Sequence, residues 1–119
     1  MLWEIVFHAE FERWFFEQDN ALQESIAMLL DILEEQGPSI GRPYIDTIKG
    51  SDFPNMKELR VQHAGLPYRI LFAFDPKRQA VLLVGGNKAK DKRWYEINIP
   101  IADKRFRKYL EETKGGELL

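Results

Sequence analysis

Apolar and polar positions alternate in parts of this chain and recur at helical spacing in others. Leu2-Trp3-Glu4-Ile5-Val6-Phe7 is rich in β-branched and aromatic residues and partly alternating, which predicts a first strand. Glu10–Glu17 reads as a short helix, with Phe11 and Phe15 four apart and Trp14 beside them. Phe11, Trp14, Phe15 and Phe16 form an aromatic cluster that is expected to be core. A longer helix follows, capped by Asp19 or Asn20, with Asn20 and Gln23 spaced as a capping box. Leu22, Ile26, Leu29, Leu30 and Leu33 make one apolar stripe along it, and Gly37-Pro38 ends it.

The segment from Gly37 to Asn55 carries Gly37, Pro38, Gly41, Pro43, Gly50 and Pro54 without sustained periodicity, so it reads as a long connection. Three strands are predicted after it, over Met56–His63, Pro67–Phe74 and Ala80–Val84. Turn chemistry at Ala64-Gly65-Leu66 and Asp75-Pro76-Lys77-Arg78 joins them into a meander. Val81-Leu82-Leu83-Val84 is apolar without a break, as an interior strand covered on both faces requires. Gly85-Gly86-Asn87 is expected to end that strand, and Pro100 to open a final helix at its first position. The order β-α-α-β-β-β-α is an α+β layout: one domain over residues 1–119, a small and mostly antiparallel sheet, N-terminal helices packed on one face, and a C-terminal helix. One sheet face is then less covered than the other, and a site is expected there.

Composition narrows the chemistry. The chain has 119 residues, 45% hydrophobic and 30% charged, which fits one globular domain and not a disordered segment. It has no cysteine, so disulfide scaffolds, cysteine nucleophiles and cysteine-ligated metals are excluded. Two histidines, His8 and His63, exclude a histidine-rich metal site. His8, at a strand end, reads as a surface or capping group, and His63 sits beside a turn. No apolar run approaches the ~20 residues of a membrane span, and the first residues lack the features of a secretory signal. A soluble, cytoplasmic protein without metal or cofactor is expected.

The net charge of −2 hides a division. Residues 1–40 hold nine acids and one base, whereas residues 41–119 hold sixteen bases and ten acids. Between Lys57 and Arg93, nine bases meet only Glu58, Asp75 and Asp91. Such segregation fits a domain that faces a polyanion on one side, and it also fits acidic helices that complement basic strands within one monomer.

Alternation on the first meander strand puts Leu59, Val61 and His63 on one face and Glu58, Arg60 and Gln62 on the other. If Ala64-Gly65 is a two-residue turn, Arg60 lies directly opposite Arg69. Like charges so placed destabilise a sheet unless an anion lies between them, and guanidinium forks match phosphate. A structural ion network through Glu58 accounts for the same pattern. The Lys88–Tyr95 loop interleaves bases with Trp94 and Tyr95, as single-stranded nucleic acid binding needs, or as a solvated loop anchored by two aromatics would.

Gly41-Arg42-Pro43-Tyr44, Asn55-Met56-Lys57-Glu58-Leu59-Arg60, Tyr68-Arg69-Ile70-Leu71-Phe72, Gly85-Gly86-Asn87-Lys88 and Arg93-Trp94-Tyr95 together resemble the RelE/ParE superfamily of toxins, and within it the HigB-like, phage Gp49-related branch. The resemblance runs over nearly the whole chain. It implies a bacterial toxin of a type II toxin–antitoxin system that cleaves mRNA on the ribosome without a metal. In such a reaction an RNA 2′-OH attacks the neighbouring phosphate and leaves a 2′,3′-cyclic phosphate and a 5′-OH.

The resemblance assigns Arg69 to charge stabilisation on the phosphate, Lys88 to leaving-group protonation or a second phosphate contact, and Tyr95 or Trp94 to stacking. Arg60 joins Arg69 around the phosphate, and Glu58 stands where a general base is needed, since the chain departs from the paired lysines of many relatives. Lys57, Lys90, Lys92, Arg93 and Trp94 are expected to contact RNA, the bases giving salt-sensitive binding. The implied partners are a cognate antitoxin with a helix-turn-helix domain, the ribosome and mRNA, with no membrane. The same fold also serves ParE-like DNA gyrase inhibition without nuclease chemistry, or a non-catalytic binding module.

Overall fold

The computed structural model describes residues 2–118, with side chains described for residues 2–113. Its elements are β1 (Glu4–Phe7), α1 (Ala9–Phe16), α2 (Asn20–Gln36), β2 (Ile45–Thr47), β3 (Met56–His63), β4 (Leu66–Phe74), β5 (Gln79–Asn87) and α3 (Trp94–Leu118), with 3-10 turns at Gly37–Ser39 and Lys88–Lys90. The five strands form one sheet in the order β1-β5-β4-β3-β2. β1 pairs with β5 in parallel, and the other three pairings are antiparallel.

Two cores flank the sheet. On one face Phe11 and Phe15 of α1 and Leu22, Ile26, Leu30 and Leu33 of α2 pack on Leu59, Val61, Ile70, Phe72 and Leu82. The α2 stripe is thus the buried one, and its N-cap is Asp19, whose carboxylate accepts from the Leu22 N–H at 2.8 Å. Gln23 takes no part in a capping box: its side-chain amide donates to the Gln18 carbonyl. Of the aromatic cluster, Phe11 and Phe15 are core, whereas Phe16 is 66% exposed.

On the other face α3 lays Ile99, Ala102 and Phe106 on Leu71, Ala73, Val81 and Leu83. The helices therefore occupy both faces, N-terminal pair on one and C-terminal helix on the other. α3 starts at Trp94, ahead of Pro100, which lies inside it. A turn at Asp91 launches the helix: its carboxylate accepts from the Arg93 N–H and its carbonyl from the Trp94 N–H.

Gly85 and Gly86 do not end β5, which continues to Asn87. A Cβ on Gly85 would lie 2.4 Å from the Trp14 ring, and one on Gly86 would lie 2.6 Å from Trp94 Nε1. The two glycines let a tryptophan press on the strand from each face. The three-residue β2, hidden in the Gly/Pro-rich connection, pairs Ile45 with Leu59 and Thr47 with Lys57. No helix among the described residues is long and apolar enough to cross a membrane.

Candidate active site

The β3–β4 hairpin turns through Ala64 at φ +52° and Gly65 at φ +75°, the left-handed pair that a two-residue hairpin turn of matching twist requires. That turn fixes the register. Arg60 stands directly opposite Arg69, and Glu58 opposite Leu71. Leu71 belongs to the α3 core, so Glu58, Arg60 and Arg69 share the α3 face, at the end of the sheet near the start of that helix.

Glu58 is not open to solvent; it is 5% exposed and lies under the first turn of α3. Its Oε2 accepts from Arg60 Nη1 at 3.0 Å, and its Oε1 accepts from the Tyr95 hydroxyl at 2.5 Å. Arg69 Nε lies 3.5 Å from the same Oε1, close enough for an ion pair but without hydrogen-bond geometry. Among the described residues that Nε is a buried side-chain nitrogen with no hydrogen-bond partner. Arg69 Nη1 donates to the Tyr68 carbonyl, which fixes the guanidinium plane. One carboxylate thus gathers two guanidiniums and a phenol.

Lys88, just beyond β5, has its Nζ 5.7 Å from the centre of the Tyr95 ring. Burial, then the charges of Arg69 and Arg60, hold its ammonium below the ordinary lysine range, with Glu58 opposing. Burial and the Glu58 carboxylate push the Tyr95 phenol up, so it stays a neutral donor at neutral pH. The five residues Glu58, Arg60, Arg69, Lys88 and Tyr95, drawn from β3, β4, the end of β5 and the start of α3, are brought into one cluster.

Two hollows border it. One, of about 370 Å3, is lined by Pro67, Lys88, Ala89, Asp91, Lys92 and the Trp94–Tyr95 pair. The other, of about 480 Å3, is walled by Arg60 and Arg69 together with Met28, Leu29, Pro43 and Tyr44. Lys90, Lys92 and Arg93 are exposed on the loop beside Tyr95, and Arg93 Nε pairs with Glu96 at 3.0 Å.

Two expected RNA contacts are displaced. Trp94 is 7% exposed and packed on Gly86, which leaves Tyr95 as the more accessible ring of the adjacent pair. Lys57 pairs across the sheet with Phe72, a residue of the α1–α2 core, and donates to Thr47 Oγ1 at 2.8 Å. It therefore stands on the face opposite Glu58. His63 is tied to Ser25 at 2.9 Å, and His8 caps α1 by accepting from the Glu10 N–H. Among the described residues no group of three or more His, Cys, Asp or Glu side chains could hold a metal ion. Tyr44 and Met28, beside the arginine pair, carry no role in the sequence reading; Tyr44 lies within the Gly41–Tyr44 motif but only the fold brings it next to Arg60.

Residues 13–107 match the family of phage-derived Gp49-like proteins. The chain is 50% identical over 113 residues to the putative toxin HigB3 of Mycobacterium tuberculosis (strain ATCC 25618 / H37Rv), covering 94% of this chain and 97% of that protein. It is 44% identical over 106 residues to the putative toxin HigB2 of the same organism, covering 85% of this chain and 53% of that one. Its fold resembles a mutant of E. coli toxin RelE in the free state (TM-score 0.61, 12% identity, 88% and 98% of the two chains). It also resembles a chain of the archaeal RelE–RelB complex from Pyrococcus horikoshii OT3 (TM-score 0.55, 14% identity, 76% and 100%). The match over residues 13–107 and the similarity to HigB3 over nearly the whole chain place it in the Gp49-like, HigB-like family, on a RelE-like fold.

Proposed function

We propose that this protein is the toxin of a toxin–antitoxin pair and acts as a metal-independent endoribonuclease on mRNA bound to the ribosome. The observation that carries this reading is the convergence of Arg60 and Arg69 with Glu58, Tyr95 and Lys88 at one end of the sheet, bordered by two hollows.

The chemistry follows from the geometry. The RNA phosphate binds at Arg60 and Arg69, drawing the Arg60 guanidinium from its contact with Glu58. The freed Glu58 carboxylate accepts the proton of the 2′-OH as its oxygen attacks phosphorus. Negative charge on the pentavalent phosphorane is held by the two guanidiniums. The bond to the 5′ oxygen breaks as that oxygen takes a proton from Lys88, whose lowered proton affinity favours donation. The products are a 2′,3′-cyclic phosphate and a 5′-OH. Tyr95 orients Glu58 through its hydroxyl and offers its ring to a base.

The partner is a cognate antitoxin, a reading supported by the toxin names of the relatives and by the RelE–RelB neighbour. Primer-extension mapping of transcripts after brief induction tests the function. Discrete cuts within translated messages, suppressed by co-expression of the neighbouring open reading frame, are expected. DNA damage signalling without cuts would instead identify a gyrase inhibitor.

A further inference from the structure

The hollow walled by Arg60 and Arg69 shares no residue with the one beside Lys88 and Tyr95. It exists because β2 is short. The β2–β3 ladder stops at the Ile45–Leu59 pair, and the Arg60 N–H is taken by the Tyr44 carbonyl at 2.7 Å. Strand alternation aims the Arg60 carbonyl and the Gln62 N–H and carbonyl the same way, past the end of β2, which supplies no residue opposite them. The mouth of the hollow thus carries backbone donors and acceptors. Its rim carries large apolar side chains in the open: Met28 is 70% exposed and Tyr44 is 46% exposed.

Apolar walls with hydrogen-bonding groups at one edge suit a group with apolar faces and a polar rim. A nucleobase is such a group, and the arginine wall says where it sits. A phosphate held by Arg60 and Arg69 carries a nucleoside on either side of it. The Tyr95 hollow takes one base, and the second hollow begins at the same two arginines.

We infer that this cavity is the subsite for the nucleobase on the side of the scissile phosphate away from Tyr95. Tyr44 is its stacking platform, Met28 closes its outer wall, and the strand edge at Gln62 reads the base. The inference rests on the RNA-cleaving reading above and adds the part of the site that sets sequence preference. Tyr44 is here a specificity-determining residue, distant from the proton transfers.

The test is single-turnover cleavage of mRNA on programmed ribosomes, with the two nucleotides flanking the cut varied through all four bases. Wild type, Tyr44→Ala, Tyr44→Phe and Met28→Glu are compared. Tyr44→Ala is expected to raise the half-saturating toxin concentration by about 10-fold and to flatten the base preference at one flanking position only. Tyr44→Phe keeps the ring and restores both. Met28→Glu, at an exposed position that the fold does not need, sets an anion against the RNA and weakens binding similarly. Wild-type preference and rate in both Tyr44→Ala and Met28→Glu would overturn the subsite while leaving the nuclease reading intact. No cleavage by the wild type would overturn the nuclease reading and the subsite together. Unchanged cleavage with lost antitoxin protection in Met28→Glu would mark the groove as a protein-docking edge, and so overturn the subsite as well.

Discussion

Arg60 and Arg69 face each other across the β3–β4 ladder, and the Glu58 carboxylate lies against both, 3.0 Å from Arg60 Nη1 and 3.5 Å from Arg69 Nε. Two cations directly opposite in a sheet repel, and here one is only 3% exposed. Glu58 offsets that repulsion. It occupies, from within the chain, the place of an anion.

Glu58→Gln removes the offset and the proposed base together. Cleavage is expected to be lost, and stability to fall by about 2 kcal/mol, less than the ~3–5 kcal/mol for a fully buried pair because Arg60 keeps solvent contact. Thermal melts with added inorganic phosphate give the check: phosphate should raise Tm in Glu58→Gln more than in the wild type, since binding to the folded state alone stabilises it. Equal shifts in both proteins would contradict the anion-site assignment.

As the proposed general acid, Lys88 should set an alkaline limit. A general acid works only while protonated, so activity is present at lower pH and is lost as pH rises through its proton affinity, which burial and the two arginines lower. The alkaline limb of the single-turnover rate should therefore fall below the ordinary lysine range. Lys88→Arg stays protonated throughout and should lose that limb, at a maximum reduced by about 10²-fold or more. A limb unchanged in Lys88→Arg would remove the lysine from the reaction.

Gly86→Ala should uncouple fold from function. The new Cβ meets the Trp94 indole at 2.6 Å, and Trp94 begins the helix that carries Tyr95. Overpacking of this kind costs about 1–3 kcal/mol. Movement of Tyr95 from Glu58 should lower cleavage further than the lost stability explains, measured at a temperature where the variant remains folded. Full activity in a folded Gly86→Ala protein would show that Tyr95 needs no such positioning.

How far the sequence reaches is clearest in this same strip. The Ala64-Gly65 turn specifies the Arg60–Arg69 register, so a purely local signal places the two arginines together. The helix stripe of α2 is equally local, since Leu22, Ile26, Leu30 and Leu33 need only one face to bury. Other features depend on packing that no local pattern encodes. Gly85-Gly86 reads as a strand end by propensity, yet both residues stay in β5 to admit Trp14 and Trp94. Pro100 reads as a helix start, but the Asp91 turn and the burial of Trp94 begin α3 earlier. The difference decides that Trp94 is core and Tyr95 faces the site. β2, three residues long, leaves no periodic trace.

His8, at the end of the edge strand β1, links pH to stability. Its Nδ1 accepts from the Glu10 N–H, which requires a neutral ring, and burial followed by the nearby Arg105 charge lowers its proton affinity. The unfolded chain therefore takes up the proton first. The contribution is complete above the ordinary histidine value and is lost as pH falls through the lowered folded value. His8→Asn retains an N-cap without titrating, so its stability should vary less between pH 7 and pH 5. Urea melts at the two pH values measure this, and identical pH dependence in both proteins would contradict it.

These five side chains are proposed to drive attack by an RNA 2′ oxygen, and one substitution in the substrate tests this. A message carrying a single 2′-deoxynucleotide at the mapped cut is placed on ribosomes with the wild-type protein. No cleavage is expected there, while the all-ribose message is expected to yield a 2′,3′-cyclic phosphate and a 5′-OH. Cleavage of the deoxy-substituted linkage at an undiminished rate would contradict it.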